Sequence, residues 1–74
     1  MIPSKILKDH DIELSEMGRL AFAKAVRDVF PIPTIQDVED EMLFNFFVGC
    51  EMTEAQCMEV LARTIRYARV WGFS

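Results

Sequence analysis

Apolar residues recur at helical spacing along most of the chain, and this pattern predicts three main helices. The first predicted helix runs from Glu16 to Phe30, the second from Ile35 to Val48 and the third from Glu54 to Trp71. Apolar and small side chains three and four residues apart indicate one face of an amphipathic helix. We therefore predict an all-α fold, a compact bundle of three main helices. Residues 1–14 leave room for a short fourth helix at the N-terminus, where Ser4 is the candidate N-cap.

Local signals predict where these helices begin and end. The expected N-caps are Ser15, Thr34 and Thr53. Gln56, three residues after Thr53, completes the sequence pattern of a capping box. The Pro31-Ile32-Pro33 segment ends the first helix, because proline cannot continue its hydrogen-bond ladder. Gly49 is expected to end the second helix, since glycine adopts a positive φ without steric cost.

The third predicted helix carries a long apolar stripe that is expected to face the core. Its members are Cys57, Met58, Leu61, Ile65 and Ala68. Val60, Tyr67 and Trp71 lie on a flank beside this stripe, and Phe73 follows shortly afterwards. The aromatic residues among them predict either a lid on the core or part of a binding surface.

The second predicted helix departs from the usual pattern of one apolar stripe and one polar face. It is apolar around most of its circumference, through Met42, Leu43, Phe44, Phe46, Phe47 and Val48. Three interpretations are open: a surrounded central helix, an oligomer seam, or a surface for another protein. Phe44 shares a face with Asp37, Asp40 and Glu41, so we expect Phe44 to be exposed in a monomer. With Phe47 beside it, the pair predicts a binding hot spot or a dimer seam.

The length and the charge of the chain further restrict the class of function that we expect. With 74 residues, positions 1–74 are expected to form one small helical domain, whose core is marginal without a partner. The net charge is −4, and residues 37–54 carry six acids and no base. These residues form a predicted acidic patch, made of Asp37, Glu39, Asp40, Glu41, Glu51 and Glu54. Such a patch repels nucleic acid and favours basic partners.

The sequence offers little for catalysis or for cofactor binding. Cys50 and Cys57 with the lone, distant His10 match no zinc-ligand spacing, and no nucleophile has a histidine in a recognisable arrangement. His10, between two aspartates, is interpreted as a solvated loop residue. No apolar run reaches the ~18 residues that a membrane span needs. We therefore expect a cytoplasmic protein that is not an enzyme, with no cofactor, no membrane association and no direct nucleic-acid contact.

Recognition of another protein is the function that these observations favour. The hypothesis is a small acidic protein that binds and modulates, in the sense of inhibiting, a partner with an apolar groove or a basic surface. The predicted interface consists of Met42, Leu43, Phe44, Phe47, Tyr67 and Trp71. Homodimer formation is also expected, because it would supply stability. Small, acidic, single-domain chains without motifs are common among inhibitors carried by phages and mobile elements, and this association is one of composition only.

Two alternatives remain open at this point. In the first, the acidic patch imitates the phosphates of a nucleic acid and occupies the basic groove of a nuclease or another DNA-binding protein. In the second, the bundle only associates with itself, as a helical scaffold.

Overall fold

A computed structural model describes residues 1–71 of the chain, so Phe73, the last member of the predicted C-terminal aromatic cluster, lies outside the described residues. Within this range the chain forms five helices and no strand, which confirms the all-α prediction. The helices are α1 (Pro3–Asp9), α2 (Glu16–Val29), α3 (Pro33–Gln36), α4 (Asp40–Phe47) and α5 (Glu54–Val70). The short N-terminal helix is therefore present, as α1.

Helix α2 is the central element of the bundle. Both α5 and α4 pack against it. Its buried residues are Gly18, Ala21, Phe22, Ala23, Ala25 and Val26. Most of these side chains are small, so neighbouring helices can approach α2 closely. Phe22 and Val26 supply the bulk, and they join Met52, Cys57 and Val60 in one hydrophobic cluster. The surrounded helix is thus the first predicted helix and not the second.

The starts of α2 and α5 confirm the capping predictions. The Ser15 hydroxyl accepts a hydrogen bond from the backbone N–H of Gly18 at 3.2 Å. At α5 the capping box is complete. The Thr53 hydroxyl accepts from the Gln56 N–H, and the Gln56 side chain accepts from the Thr53 N–H, each at 3.1 Å. These bonds satisfy backbone donors that the first helical turn leaves without partners.

The N-terminal segment is attached to the loop that precedes α5. The Ser4 N–H donates to the Val48 carbonyl at 2.7 Å, and the Met52 N–H donates to the Met1 carbonyl at 2.9 Å. Pro3 occupies the first turn of α1, where its missing N–H has no cost. The N-cap is Ile2, without a side-chain hydrogen bond, so the prediction of Ser4 as a cap was wrong.

The second predicted helix is divided in two, which corrects the prediction of one helix from Ile35 to Val48. Helix α3 ends at Gln36 and α4 begins at Asp40. Ile32 rather than Thr34 is the N-cap of α3. The break contains neither proline nor glycine. Its carbonyl at Val38 accepts a hydrogen bond from the Arg27 guanidinium of α2 at 2.6 Å, so a tertiary contact replaces a helical one.

Gly49 follows α4, as predicted, but without the expected backbone conformation. Its φ does not lie in the positive, left-handed region. Helix α4 instead ends through Val48, a C-cap with φ of −62° and ψ of −29°, whose N–H donates to the Phe44 carbonyl at 2.9 Å. The glycine is thus not required by the backbone at this turn.

The core-facing stripe of α5 also differs from the prediction. Met58 is 52% exposed and Ile65 is 53% exposed. The buried residues of α5 are Cys57, Val60, Thr64 and Ala68. Thr64 can replace an aliphatic residue there, because its hydroxyl donates to the Val60 carbonyl at 2.7 Å and is not left unpaired. Helix α5 therefore carries a second apolar face, turned toward solvent.

Candidate protein-interaction surface

Helix α4 presents two large apolar side chains to solvent. Met42 is 60% exposed and Phe46 is 68% exposed, and they lie four residues apart, on one side of the helix. Leu43 is the only residue of α4 that is fully buried, with 2% exposure. Helix α4 thus packs on the domain through Leu43 and its half-buried phenylalanines and leaves an apolar side uncovered. We call this uncovered side, Met42 and Phe46, the α4 face.

The exposed Phe46 ring is held in place by a row of aromatic rings. Its ring meets the Phe47 ring edge-on, with centroids 5.2 Å apart, and Phe47 lies 5.6 Å from Phe30. A shallow apolar depression of about 250 Å³ adjoins these rings, lined by Ile35, Val38, Met42, Leu43, Phe46 and Phe47. An exposed aromatic ring that is already positioned loses little freedom when a partner covers it.

Phe44 does not have the exposure that its helical position predicted. It is half-buried, packs against the core cluster and meets the Phe22 ring edge-on at 5.4 Å. The Arg19 guanidinium lies 5.9 Å from the centroid of the Phe44 ring. Phe47 is likewise half-buried against the core, and Leu43 lies within the core. The expectation that Phe44 would be exposed was therefore wrong.

Tyr67 on α5 and Trp71, the C-cap of that helix, lie at a distinct place from the α4 face. The half-buried Tyr67 stacks on Trp71 with centroids 6.0 Å apart, and its hydroxyl donates to the Asp28 carboxylate. The Lys24 ammonium lies 5.0 Å from the Tyr67 ring centroid. Trp71 is 38% exposed. Tyr67 thus joins α5 to α2, and neither residue lines the depression beside Phe46.

Sequence reasoning omitted Phe46 from the interface residues, although it is the most exposed aromatic residue of α4. The signal is present in the sequence. Leu43 and Phe47 are four residues apart and face inward, so Met42 and Phe46, each one position earlier, point to a neighbouring side. The prediction of one continuous helix obscured this signal, because that helix is apolar around most of its circumference and no single outward side stood out.

The predicted acidic patch is partly neutralised within the molecule. Asp40 pairs with Arg27 at 2.5 Å, Glu41 with Arg19 at 3.4 Å, and Glu51 with the amino group of Met1 at 2.6 Å. Within residues 1–71 no ion pair involves the other three acids, Asp37, Glu39 and Glu54, all exposed. The charge available to a partner near the α4 face is therefore mainly that of Asp37 and Glu39. This weakens the nucleic-acid-mimic hypothesis.

The remaining candidate chemistry lies apart from this surface. Cys57 is buried in the core, and this burial raises the pKa of its thiol. His10 is exposed at the end of α1. No three His, Cys, Asp or Glu residues of the described part of the chain come together as a metal site. Among the described helices, none is both long and apolar enough to cross a membrane.

Comparison of the chain with protein-family models, curated proteins and solved structures gives no match.

Proposed function

We propose that this chain is a non-enzymatic protein-binding module, and that it modulates its partner by covering part of the partner's surface. The α4 face supplies the apolar contact. The single observation that carries the proposal is the pair Met42 and Phe46, which remains 60% and 68% exposed although the domain is small enough to need every apolar contact.

The chemistry of the α4 face describes the partner. Aromatic residues and methionine are enriched at the centres of protein interfaces, and a polar rim excludes water around them. Asp37 and Glu39, both exposed, precede the α4 face and give it an acidic border. A partner with an apolar groove and basic residues at its edge fits this arrangement. Its charges would increase the association rate and orient the encounter.

The experiment is affinity capture from a lysate of the organism that encodes the chain, with three baits. The first is the unchanged chain, the second carries Met42→Ser with Phe46→Ser, and the third carries Met58→Ser with Ile65→Ser. The third bait is a matched control, because it removes a similarly exposed apolar pair, 52% and 53%, from α5. The captured protein is then purified, and its affinity for each bait is measured by titration calorimetry.

Binding through the α4 face predicts a partner that the second bait loses and the third retains. The expected loss of affinity is at least tenfold, or about 1.4 kcal/mol, as for truncation of a hot-spot residue. A partner that binds the second bait as tightly as the unchanged chain would contradict the proposal. A partner that is instead lost on raising the salt concentration would favour the acidic residues as the principal contact.

A further inference from the structure

The second apolar face of α5 is separate from the α4 face and has a regular spacing. Helix α5 presents Ala55, Met58, Ala62, Ile65 and Arg69 to solvent, at alternating intervals of three and four residues. This is the spacing of a helix-pairing seam, in which side chains from two helices interdigitate. Small and large residues alternate along the seam, so a second helix can approach at the alanines while Met58 and Ile65 fill the spaces between them.

The seam is the edge of a larger uncovered apolar region. Met58 and Ile65 line one groove together with Ile6, Leu7, Ile12 and Leu14 from α1 and the loop after it. Ile12 is itself 46% exposed. The groove beside Met58 has no residue in common with the depression at Phe46. The seam and the α4 face are therefore separate surfaces.

Charge along α5 indicates what covers the seam. The first half of the helix carries Glu54 and Glu59, and the second half carries Arg63, Arg66 and Arg69. Glu59 and Arg63 pair within the helix at 2.7 Å, and Arg63 also contacts Asp28. Within residues 1–71, Glu54 at one end and Arg66 and Arg69 at the other form no ion pair. A second α5 in antiparallel orientation matches these opposite ends, whereas a parallel one places like charges together.

We propose that the α5 seam binds a second copy of this chain, as an antiparallel, two-fold symmetric dimer centred on Ala62. Residues at similar distances on the two sides of Ala62, within one residue of each other, then meet across the axis. Met58 of each copy packs near Ile65 of the other, and Glu54 of each copy lies near Arg69 of the other. A two-fold interface uses the same patch on both copies and closes after two subunits. The dimer thereby presents two α4 faces.

The first test is the oligomeric state by sedimentation velocity, from low micromolar to near-millimolar concentration. We expect a reversible shift from 8.6 kDa to twice that mass. Ile65→Arg is expected to raise the dimer dissociation constant at least tenfold, because it places a charge in the seam. Val70→Arg is the matched control, since Val70 is 74% exposed on the same helix but lies off the seam. A chain that is monomeric at every concentration, or a dimer unaffected by Ile65→Arg, would overturn the proposal.

The orientation is tested by disulfide trapping in a Cys50→Ser background, with Cys57 left buried in the core. Ala62→Cys is expected to give a covalent dimer under mild oxidation, because the two sulfurs meet at the axis within disulfide reach. Ala55→Cys is the control. Its two copies would lie 14 residues apart along antiparallel helices, or about 21 Å, too far for a disulfide. Equal trapping by both variants would show a parallel or non-specific association and contradict the antiparallel dimer.

Exchanging charged residues tests the proposed pairing of Glu54 in one copy with Arg69 in the other. These substitutions leave the apolar residues of the seam unchanged. Glu54→Arg alone and Arg69→Glu alone are each expected to weaken the dimer several-fold, since each places like charges together. The double variant is expected to restore it. Circular dichroism of each variant controls for changes in helix stability at the two ends of α5. Failure of the double variant to recover affinity, with helicity intact, would exclude the proposed register.

Discussion

Arg27 and Asp40 form the contact that joins the central helix to the break in the acidic segment. The Arg27 guanidinium donates to the Asp40 carboxylate at 2.5 Å, and its second terminal nitrogen donates to the Val38 carbonyl. Asp40 is the first residue of α4, where a negative charge also complements the helix dipole. The Arg27 side chain of α2 thus satisfies the Val38 carbonyl, which lies outside any helix, and also pairs with the first residue of α4.

Replacing Arg27 by alanine is expected to lower the free energy of unfolding by about 1–2 kcal/mol. The ion pair alone would contribute less, because Asp40 is partly exposed to solvent. The additional loss comes from the Val38 carbonyl. Urea denaturation measures the change. Arg66→Ala is the control, since Arg66 is exposed and forms no ion pair within residues 1–71, and it should change stability by less than about 0.5 kcal/mol. Equal effects of the two substitutions would contradict the role of Arg27.

Phe44 and Phe46 are close in sequence, but the structure assigns them opposite roles. Phe44→Ala is expected to cost about 2–4 kcal/mol of stability, because its ring packs edge-on against the fully buried Phe22. Phe46→Ala is expected to change stability by less than about 0.5 kcal/mol, since the ring is mostly in solvent. Thermal and urea unfolding of the two variants provide the comparison. A reversed order would mean that the orientation of α4 is different.

Gly49→Ala is expected to stabilise the protein by about 0.4–1 kcal/mol. A Cβ at Gly49 meets no atom within 4 Å, and the backbone φ is not positive. Alanine then restricts the unfolded chain at no cost in the folded state. If Gly49 instead had the left-handed conformation that its position suggested, the substitution would destabilise the protein. The sign of the change in the urea midpoint distinguishes the two conformations.

Because the Cys57 thiol is buried, we expect the protein to lose stability at alkaline pH. Burial raises the pKa of this thiol in the folded protein above its value in the unfolded chain. The contribution of the protonated Cys57 thiol to stability is fully present below the unfolded thiol pKa of about 8.5. It declines as the pH rises past that value, because the thiol ionises first in the unfolded chain. Urea denaturation at neutral pH and near pH 9.5 measures the decline. A Cys57→Ala variant is the control. It should show a smaller decline, and an identical one would assign the pH dependence to other groups.

Local interactions account for the elements that were predicted correctly. Ser15 and the Thr53–Gln56 capping box act within one helical turn, and the Pro31-Ile32-Pro33 segment acts through its own backbone. These signals are complete within a few residues. For this reason the start of α2, the end of α2 and the start of α5 could be located from the sequence.

The errors concern residues whose environment depends on distant parts of the chain. The predicted stripe of α5 included Met58 and Ile65, because both lie at apolar spacing with Leu61. The buried face instead contains Val60 and Thr64, since the Thr64 hydroxyl is satisfied by the helix itself and leaves a small side chain against α2. A helix with apolar residues on two sides does not indicate by periodicity alone which side faces the core.

The sequence by itself therefore determined an all-α chain, its principal helix starts and the uneven distribution of its charge. The first two depend on hydrogen bonds and side-chain spacing within one or two helical turns, and the charge distribution follows directly from the identity of the residues. Only the tertiary structure decided that α2 is central, that Arg27 stabilises the break before α4, and that Phe46 rather than Phe44 faces solvent. These features depend on which helix faces pack together. That choice depends on the apolar faces of all the helices together and not on any one helix.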